Sequence, residues 1–134
     1  MSTRCCITVE TENKVFNYYH HSDGYIMGVG KELVDFLIEG TSSTFLWEWK
    51  YKERQLPRSY EPEECLPEEH GDIEYVYKIV EKGNRVDLTV YIRKDWEKDT
   101  ADNWREWNSI TLFKTLKREG NEYFTNTLIH LENK

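Results

Sequence analysis

The clearest pattern of apolar and polar positions in the chain is an alternation over residues 73–92, interrupted once by Gly83-Asn84. Alternation with a period of two is typical of a strand with one buried face, and a Gly-Asn pair is frequent in tight turns. The pattern therefore predicts a β-hairpin. The apolar positions at every second residue that define it are Ile73, Tyr75, Tyr77, Ile79, Val86, Leu88, Val90 and Ile92.

A second hairpin is predicted at the amino terminus, from residues 3–10 and 14–21. Both segments are rich in β-branched and aromatic residues, and a short polar turn separates them. The second strand is expected to end at Asp23-Gly24, since Gly tolerates positive φ and Asp bonds nearby backbone amides. Successive side chains of a strand point to opposite faces, so His21 should lie with Tyr19, and His20 with Tyr18.

A helix is predicted from Tyr25 to Ile38, where apolar residues recur at spacings of three and four before Gly40. Gly28 and Gly30 are expected to weaken its first turns. The apolar face of this helix consists of Ile26, Val29, Leu33, Phe36 and Leu37.

The rest of the chain gives weaker patterns. Residues 41–51 combine four potential N-cap residues with an aromatic alternation, and we favour a helix there. Residues 53–72 contain all three prolines and a run of acids, which predicts a long loop. Asp102 is positioned to cap a short helical turn. The segment 110–131 is expected to form a strand and then a helix, with a break at Gly120-Asn121.

Together these elements predict that residues 1–134 form a single compact α+β domain. We expect an antiparallel sheet with two or three helices and an acidic, proline-containing loop at 53–72. A length of 134 residues fits one domain of ordinary size. Composition excludes a collagenous, low-complexity or membrane-spanning chain, because 14% of the residues are aromatic and no apolar run is long enough to span a bilayer.

The formal net charge is -7, and most of the acidic excess lies in residues 61–72. That run contains six acids and no base, which leaves 19 acids against 18 bases elsewhere. The net charge opposes adhesion to a nucleic acid polymer or to an anionic membrane, so we expect neither as a partner. It does not oppose a basic pocket for a small anion, because charge acts over roughly 8 Å in physiological salt.

The cysteines are Cys5, Cys6 and Cys65, an odd number, and adjacent cysteines on a strand point apart. We therefore expect reduced thiols. The first residues lack the apolar core of a signal peptide, and a cytoplasmic location is predicted.

The densest group of potential functional side chains is the segment Tyr18 to Tyr25, with two imidazoles, one carboxylate and three phenols. A ligand site and a purely structural turn explain this group about equally well. A metal site would need ligands beyond His21 and Asp23, and no other Cys or His spacing supplies them, so none is predicted.

Two further cationic positions are candidates for anion contacts. Arg93 ends the clearest strand, where its guanidinium fork can match phosphate oxygens, and Arg4 lies beside Ser2 and Thr3. The tryptophans after Arg93 alternate with charges of both signs, and we favour a core role for them. No nucleophile elbow, phosphate-binding loop or dinucleotide motif is present, and no enzymatic activity is expected.

Three segments of the first third of the chain resemble a family of small bacteriophage proteins. They are Ser2-Thr3-Arg4, then Tyr19-x-His21-x-Asp23-Gly24-Tyr25, then Val29-Gly30-Lys31-Glu32-Leu33. Some phage proteins of this kind are similar to anti-CBASS sponges, which sequester cyclic dinucleotide immune signals. The resemblance implies a cyclic dinucleotide ligand such as 3',3'-cGAMP, a homo-oligomer with sites between subunits, and no turnover. We further expect no cofactor, and action in the host cytoplasm.

The same resemblance implies a role for each matching residue. Arg4 would neutralise a phosphate, Tyr19 and Tyr25 would stack on or close over a base, and His21 and Asp23 would bond its polar edges. Arg93 is added from the residue analysis alone. The ligand-binding set is therefore expected to be Arg4, Tyr19, His21, Asp23, Tyr25 and Arg93.

Two other functions remain open from the residues. An enzyme that cleaves such a nucleotide would use His20 or His21 as general acid or base, since the unperturbed pKa of His is about 6.5. An inhibitor of a host defence protein would instead present the acidic run 61–72 to a basic groove.

Overall fold

The computed structural model of the chain describes residues 3–12, 15–21, 23–39, 63–64, 66–69, 71–82, 85–97 and 100–114. Within them a six-stranded sheet is the central element. The strands are β1 (Cys5–Glu10), β2 (Val15–His20), β3 (Glu63–Glu64), β4 (Tyr75–Lys82), β5 (Arg85–Ile92) and β6 (Asn108–Lys114). Their order across the sheet is β3-β2-β1-β4-β5-β6.

Both predicted hairpins are confirmed. Strands β1 and β2 pair antiparallel from Cys5 opposite His20 to Glu10 opposite Val15. Strands β4 and β5 pair in the same way, with Tyr75 opposite Ile92. The local alternation and the short intervening segments are sufficient to define these two pairings.

The expectation of a wholly antiparallel sheet is wrong, because β1 and β4 are parallel neighbours at its centre. Their register places Cys5 beside Tyr75 and Val9 beside Ile79. Parallel strands require a long connection, and the chain supplies one between β2 and β4 that contains a helix. The architecture is a mixed sheet with a helix, which is of the α+β class.

The predicted helix is confirmed in its second half as the α-helix α1 (Lys31–Glu39). Its first turn is wider, a π-helical turn from Ile26 to Gly30. The amide of Val29 donates to the carbonyl of Asp23 at 2.8 Å, and a Cβ on Gly28 would overlap that same carbonyl oxygen. Glycine therefore permits this close approach of the backbone.

The sheet carries an apolar cluster on each face. The larger one lies against α1 and the π-helical turn, and we call this side the helix face. The smaller one lies on the opposite side, which we call the tryptophan face. Its buried members are Cys6, Tyr19, Ile73, Val76, Trp104 and Trp107, with Tyr91 packed against them.

Short turns cover the tryptophan face. A 3-10 turn from Ala101 to Glu106 carries Trp104, and a second runs from Pro67 to Glu69. The first turn has Thr100 at its N-cap position and no capping side chain, so the prediction that Asp102 caps it is wrong. The core role predicted for the tryptophans is confirmed for Trp104 and Trp107, whereas Trp96 is 50% exposed.

Other predictions fall partly or wholly outside the described residues. Within the predicted loop 53–72, Glu63–Glu64 pairs with β2 at the sheet edge, which the loop prediction did not include. The elements predicted at 41–51 and beyond residue 114 lie outside the described residues. None of the helices in the described ranges is long and apolar enough to cross a membrane.

Candidate functional site

Arg4 and Arg93 lie at the same end of the sheet, on either side of Glu74. The amide of Glu74 donates to the carbonyl of Arg4 at 3.0 Å, and the amide of Arg93 donates to the carbonyl of Glu74 at 3.0 Å. The two backbones are therefore two strand spacings apart, roughly 10 Å. Each arginine is two residues from a member of the tryptophan face, Cys6 or Tyr91, so both side chains project on that side.

Arg4 is held by two groups. Its Nε lies 3.0 Å from Asp72 Oδ2, and its side chain hydrogen-bonds to Tyr19. The pKa of the Tyr19 phenol is raised above its ordinary value, chiefly by burial and also by the charge of Asp72, although Arg4 opposes both effects. Tyr19 is therefore a neutral hydrogen-bond donor at physiological pH.

His21 completes this group at the end of β2. The Tyr19 hydroxyl and His21 Nδ1 lie 3.3 Å apart, and the two rings meet edge to face with centroids 6.2 Å apart. His20 is 5% exposed, whereas His21 is exposed, which confirms that they point to opposite faces. We call Arg4, Tyr19, His21 and Asp72 the Arg4 cluster.

Asp23 and Gly24 have a structural role in the same region. Asp23 has a φ of 57°, a left-handed conformation that Asp adopts more readily than most residues. The amide of Gly24 donates to the carbonyl of Thr3 at 2.9 Å, and its own carbonyl accepts from the buried Tyr77 hydroxyl at 2.7 Å. These bonds turn the chain from β2 towards the helix face and leave Tyr25 39% exposed.

Arg93 is packed between indoles and a turn. Its Nη1 donates to the carbonyl of Gly71 at 2.6 Å and approaches that of Ile73 at 3.4 Å. Its Cζ lies 3.8 Å from the ring centroid of Trp96 and 5.7 Å from that of Trp107. Within the described part of the chain, two buried donors here have no hydrogen-bond partner, Arg93 Nε and Trp107 Nε1. Such groups are uncommon in folded proteins and require an acceptor.

The structure thus joins three of the six predicted site residues directly, namely Arg4, Tyr19 and His21. Arg93 lies beyond Glu74, two strand spacings from Arg4. The hydrogen bonds described for Asp23 involve its backbone. Asp72 is not predicted from the sequence as a partner of Arg4, because it is one acid of a charged run. Arg4 directly precedes β1 and Asp72 lies three residues before β4, so their proximity follows only once the parallel pairing of β1 with β4 is known.

The chemistry available at this end of the sheet is recognition of an anion. A guanidinium, a neutral phenol and an imidazole can all donate hydrogen bonds to oxygens. Among the residues that the structure describes, no group of three or more His, Cys, Asp or Glu side chains is placed to hold a metal ion. No protein-family model matches the chain, and neither a curated protein nor a solved structure matches it significantly.

Proposed function

We propose that the chain is a phage immune-evasion protein that binds and sequesters a cyclic nucleotide signal, a cyclic dinucleotide such as 3',3'-cGAMP, without cleaving it. It would act as a homo-oligomer in the cytoplasm of the infected host. The observation that supports the ligand class is the connection of the partly exposed Arg4 and the exposed His21 through the buried Tyr19.

Each group in this connection matches a part of such a ligand. A phosphate oxygen can accept from the Arg4 guanidinium and the Tyr19 hydroxyl together, and bonds to charged groups are stronger than neutral ones. The exposed ring of His21 can stack on a base, and the exposed Tyr25, which lies outside this connection, is a further candidate for stacking. Arg93, one strand beyond Glu74, provides a cation for a second phosphate.

Sequestration requires affinity and no rate enhancement, so this proposal assigns no nucleophilic role to any residue. Cys5 and Cys6 are buried within the sheet, on opposite faces. Tight binding removes a signal in proportion to the protein present, provided that the Kd lies below the concentration of the signal.

The proposal is tested by incubating the purified protein with a panel of cyclic nucleotides, removing free ligand by filtration, denaturing the protein and chromatographing what is released. Intact nucleotide recovered only after denaturation supports sequestration. Absence of retention across the panel contradicts it.

Two variants localise the site. Arg4→Gln should weaken retention about 10- to 100-fold, since a hydrogen bond to a charged group contributes about 1.5 to 3 kcal/mol. Arg85→Gln is the matched control, because Arg85 carries the same charge at the opposite end of the sheet and pairs with Asp87 at 3.9 Å. Equal retention by the two variants would exclude Arg4 from the site.

A nucleotide-cleaving enzyme is the second candidate, and the contact between Tyr19 and His21 favours His21 over His20 as its acid or base. His20 is buried on the helix face, whereas His21 is exposed beside a neutral phenol. A converted product in the same assay, lost in His21→Ala and kept in His20→Asn, would support the enzyme.

The acidic inhibitor has less support. Within the described residues of the run 61–72, Asp72 is paired with Arg4 and Glu68 with Arg105. Paired carboxylates present less negative charge to a basic groove on another protein.

A further inference from the structure

Two adjacent residues of one turn engage both arginines of the site. The Asp72 carboxylate lies 3.0 Å from Arg4 Nε, and the Gly71 carbonyl accepts from Arg93 Nη1 at 2.6 Å. Gly71 and Asp72 are both exposed, and the turn that they form lies just before the row Arg4, Glu74 and Arg93. We call this segment the Gly71–Asp72 turn.

We propose that the Gly71–Asp72 turn is an internal occupant of the anion site, which a phosphate-containing ligand displaces from Arg4 and Arg93. The ligand class rests on the proposed function, whereas the exchange itself requires only an anion. In the exchange, a phosphate oxygen replaces Asp72 Oδ2 on Arg4, and a second anionic oxygen replaces the Gly71 carbonyl on Arg93.

The contacts of the turn favour such an exchange. The pair of Arg4 with Asp72 is partly exposed at both side chains, and exposed ion pairs are weak. The Gly71 carbonyl is neutral, so an anionic oxygen forms a stronger bond with Arg93. Arg93 Nε and Trp107 Nε1 are buried and have no hydrogen-bond partner among the described residues, so the contacts of the turn do not satisfy them.

The spacing of the two arginines indicates the kind of anion. The backbones of Arg4 and Arg93 are roughly 10 Å apart on either side of Glu74, so a ligand with two separated phosphates can reach both side chains, whereas a compact anion engages one.

Asp72 acts as a specificity-determining residue, because a ligand must bind more strongly than an internal carboxylate that is always present.

The test compares Asp72→Asn with Asp35→Asn, which removes the same charge from the exposed surface of α1 on the other side of the sheet. Affinities for 3',3'-cGAMP and for inorganic pyrophosphate are measured by calorimetry at one fixed salt concentration. Asp72→Asn should bind about two- to fivefold more tightly than Asp35→Asn, the range expected from losing an exposed competing ion pair. Asp72→Ser repeats the test without an amide that could still accept from Arg4.

The outcomes separate this inference from the proposed function. Tighter binding of pyrophosphate by both Asp72 variants, without binding of cGAMP, supports the exchange and contradicts the proposed function. Binding of cGAMP that is equal in Asp72→Asn and Asp35→Asn, or weaker in the former, overturns the exchange and leaves the proposed function standing. Absence of binding of either anion by every variant overturns both.

Discussion

The indole N–H of Trp104 donates to Glu68 Oε1 at 2.9 Å, and the same oxygen accepts from Arg105 Nη1 at 3.0 Å. One carboxylate thus joins the 3-10 turn at 67–69 to the 3-10 turn at 101–106 and fixes both over the tryptophan face. Burial raises the pKa of Glu68, but the bonds from Trp104, from its own amide and from Arg105 outweigh burial, and the net pKa is lowered. Glu68 is therefore stabilised in its charged form in the fold.

Replacement of Glu68 by Gln should lower the free energy of unfolding by about 1 kcal/mol at pH 7, since it removes charge-assisted hydrogen bonds. The folded pKa lies below the unfolded value of 4.5, so this contribution is present above that value and is lost as the pH falls through the folded pKa. Urea unfolding of the wild type and the variant across this range measures the difference.

The control for this prediction is Glu106→Gln, an exposed carboxylate in the 3-10 turn at 101–106. Its effect should stay within about 0.5 kcal/mol at every pH. A Glu68→Gln effect that is as large at pH 3 as at pH 7 would contradict the assignment to the carboxylate.

Gly28→Ala should destabilise the fold by about 1 to 3 kcal/mol, because the new Cβ overlaps the carbonyl oxygen of Asp23 and the backbone must shift. Gly71→Ala is the matched control, since a Cβ added at Gly71 would meet no atom within 4 Å. Thermal unfolding followed by circular dichroism compares the two. Equal melting temperatures of Gly28→Ala and Gly71→Ala would contradict the prediction, because the backbone after Asp23 would then shift without a cost in stability.

Tyr77→Phe should cost about 1 to 3 kcal/mol of stability, because it leaves the buried carbonyl of Gly24 without the hydroxyl that lies 2.7 Å away. Tyr91→Phe keeps the edge-to-face contact with Trp104 and should change stability by less than about 0.5 kcal/mol. Chemical denaturation of both variants gives the comparison. A smaller loss in Tyr77→Phe than in Tyr91→Phe would be the contradictory result.

The stacking of Arg93 on Trp96 should appear as a coupling energy of about 0.5 to 1 kcal/mol in a double-mutant cycle of Arg93→Lys and Trp96→Leu. Lysine keeps the charge and loses the planar guanidinium. The cycle of Arg105→Lys with Trp96→Leu is the control, since Arg105 lies over Trp104 instead. Similar coupling in both cycles would contradict the prediction, because it would show that the effect is not specific to the contact of Arg93 with Trp96.

Local pattern predicted the elements of this fold better than their arrangement. The alternation from Ile73 to Ile92 and the Gly83-Asn84 interruption define a hairpin through neighbouring residues, and the spacing of Val29, Leu33 and Leu37 defines a helix in the same way. The choice of β4 as the neighbour of β1 depends on contacts between distant residues, which no local period encodes. The first turn of the helix is π-helical, and its backbone bond from Val29 to Asp23 is likewise not encoded by the apolar spacing.

The candidate site likewise has features that the sequence predicts and features that it does not. Strand geometry alone placed His21 with Tyr19, because alternation is a property of every strand. The pairing of Arg4 with Asp72 could not be predicted from the sequence, because it follows from the parallel register of β1 and β4. The packing of Arg93 against Trp96 depends on how the chain turns after β5, and the residue types alone do not determine that turn.

The parallel pairing of β1 with β4 affects how the chain folds while it is being synthesised. A ribosome releases β1 and β2 early, and they can form a hairpin at once because only a short turn separates them. The other side of β1 has no neighbour until β4 has emerged, which is more than half the chain later. During that interval Ile7 and Val9, fully buried in the finished sheet, lie on an unpaired strand edge, so we expect misassociation of nascent chains to begin at β1.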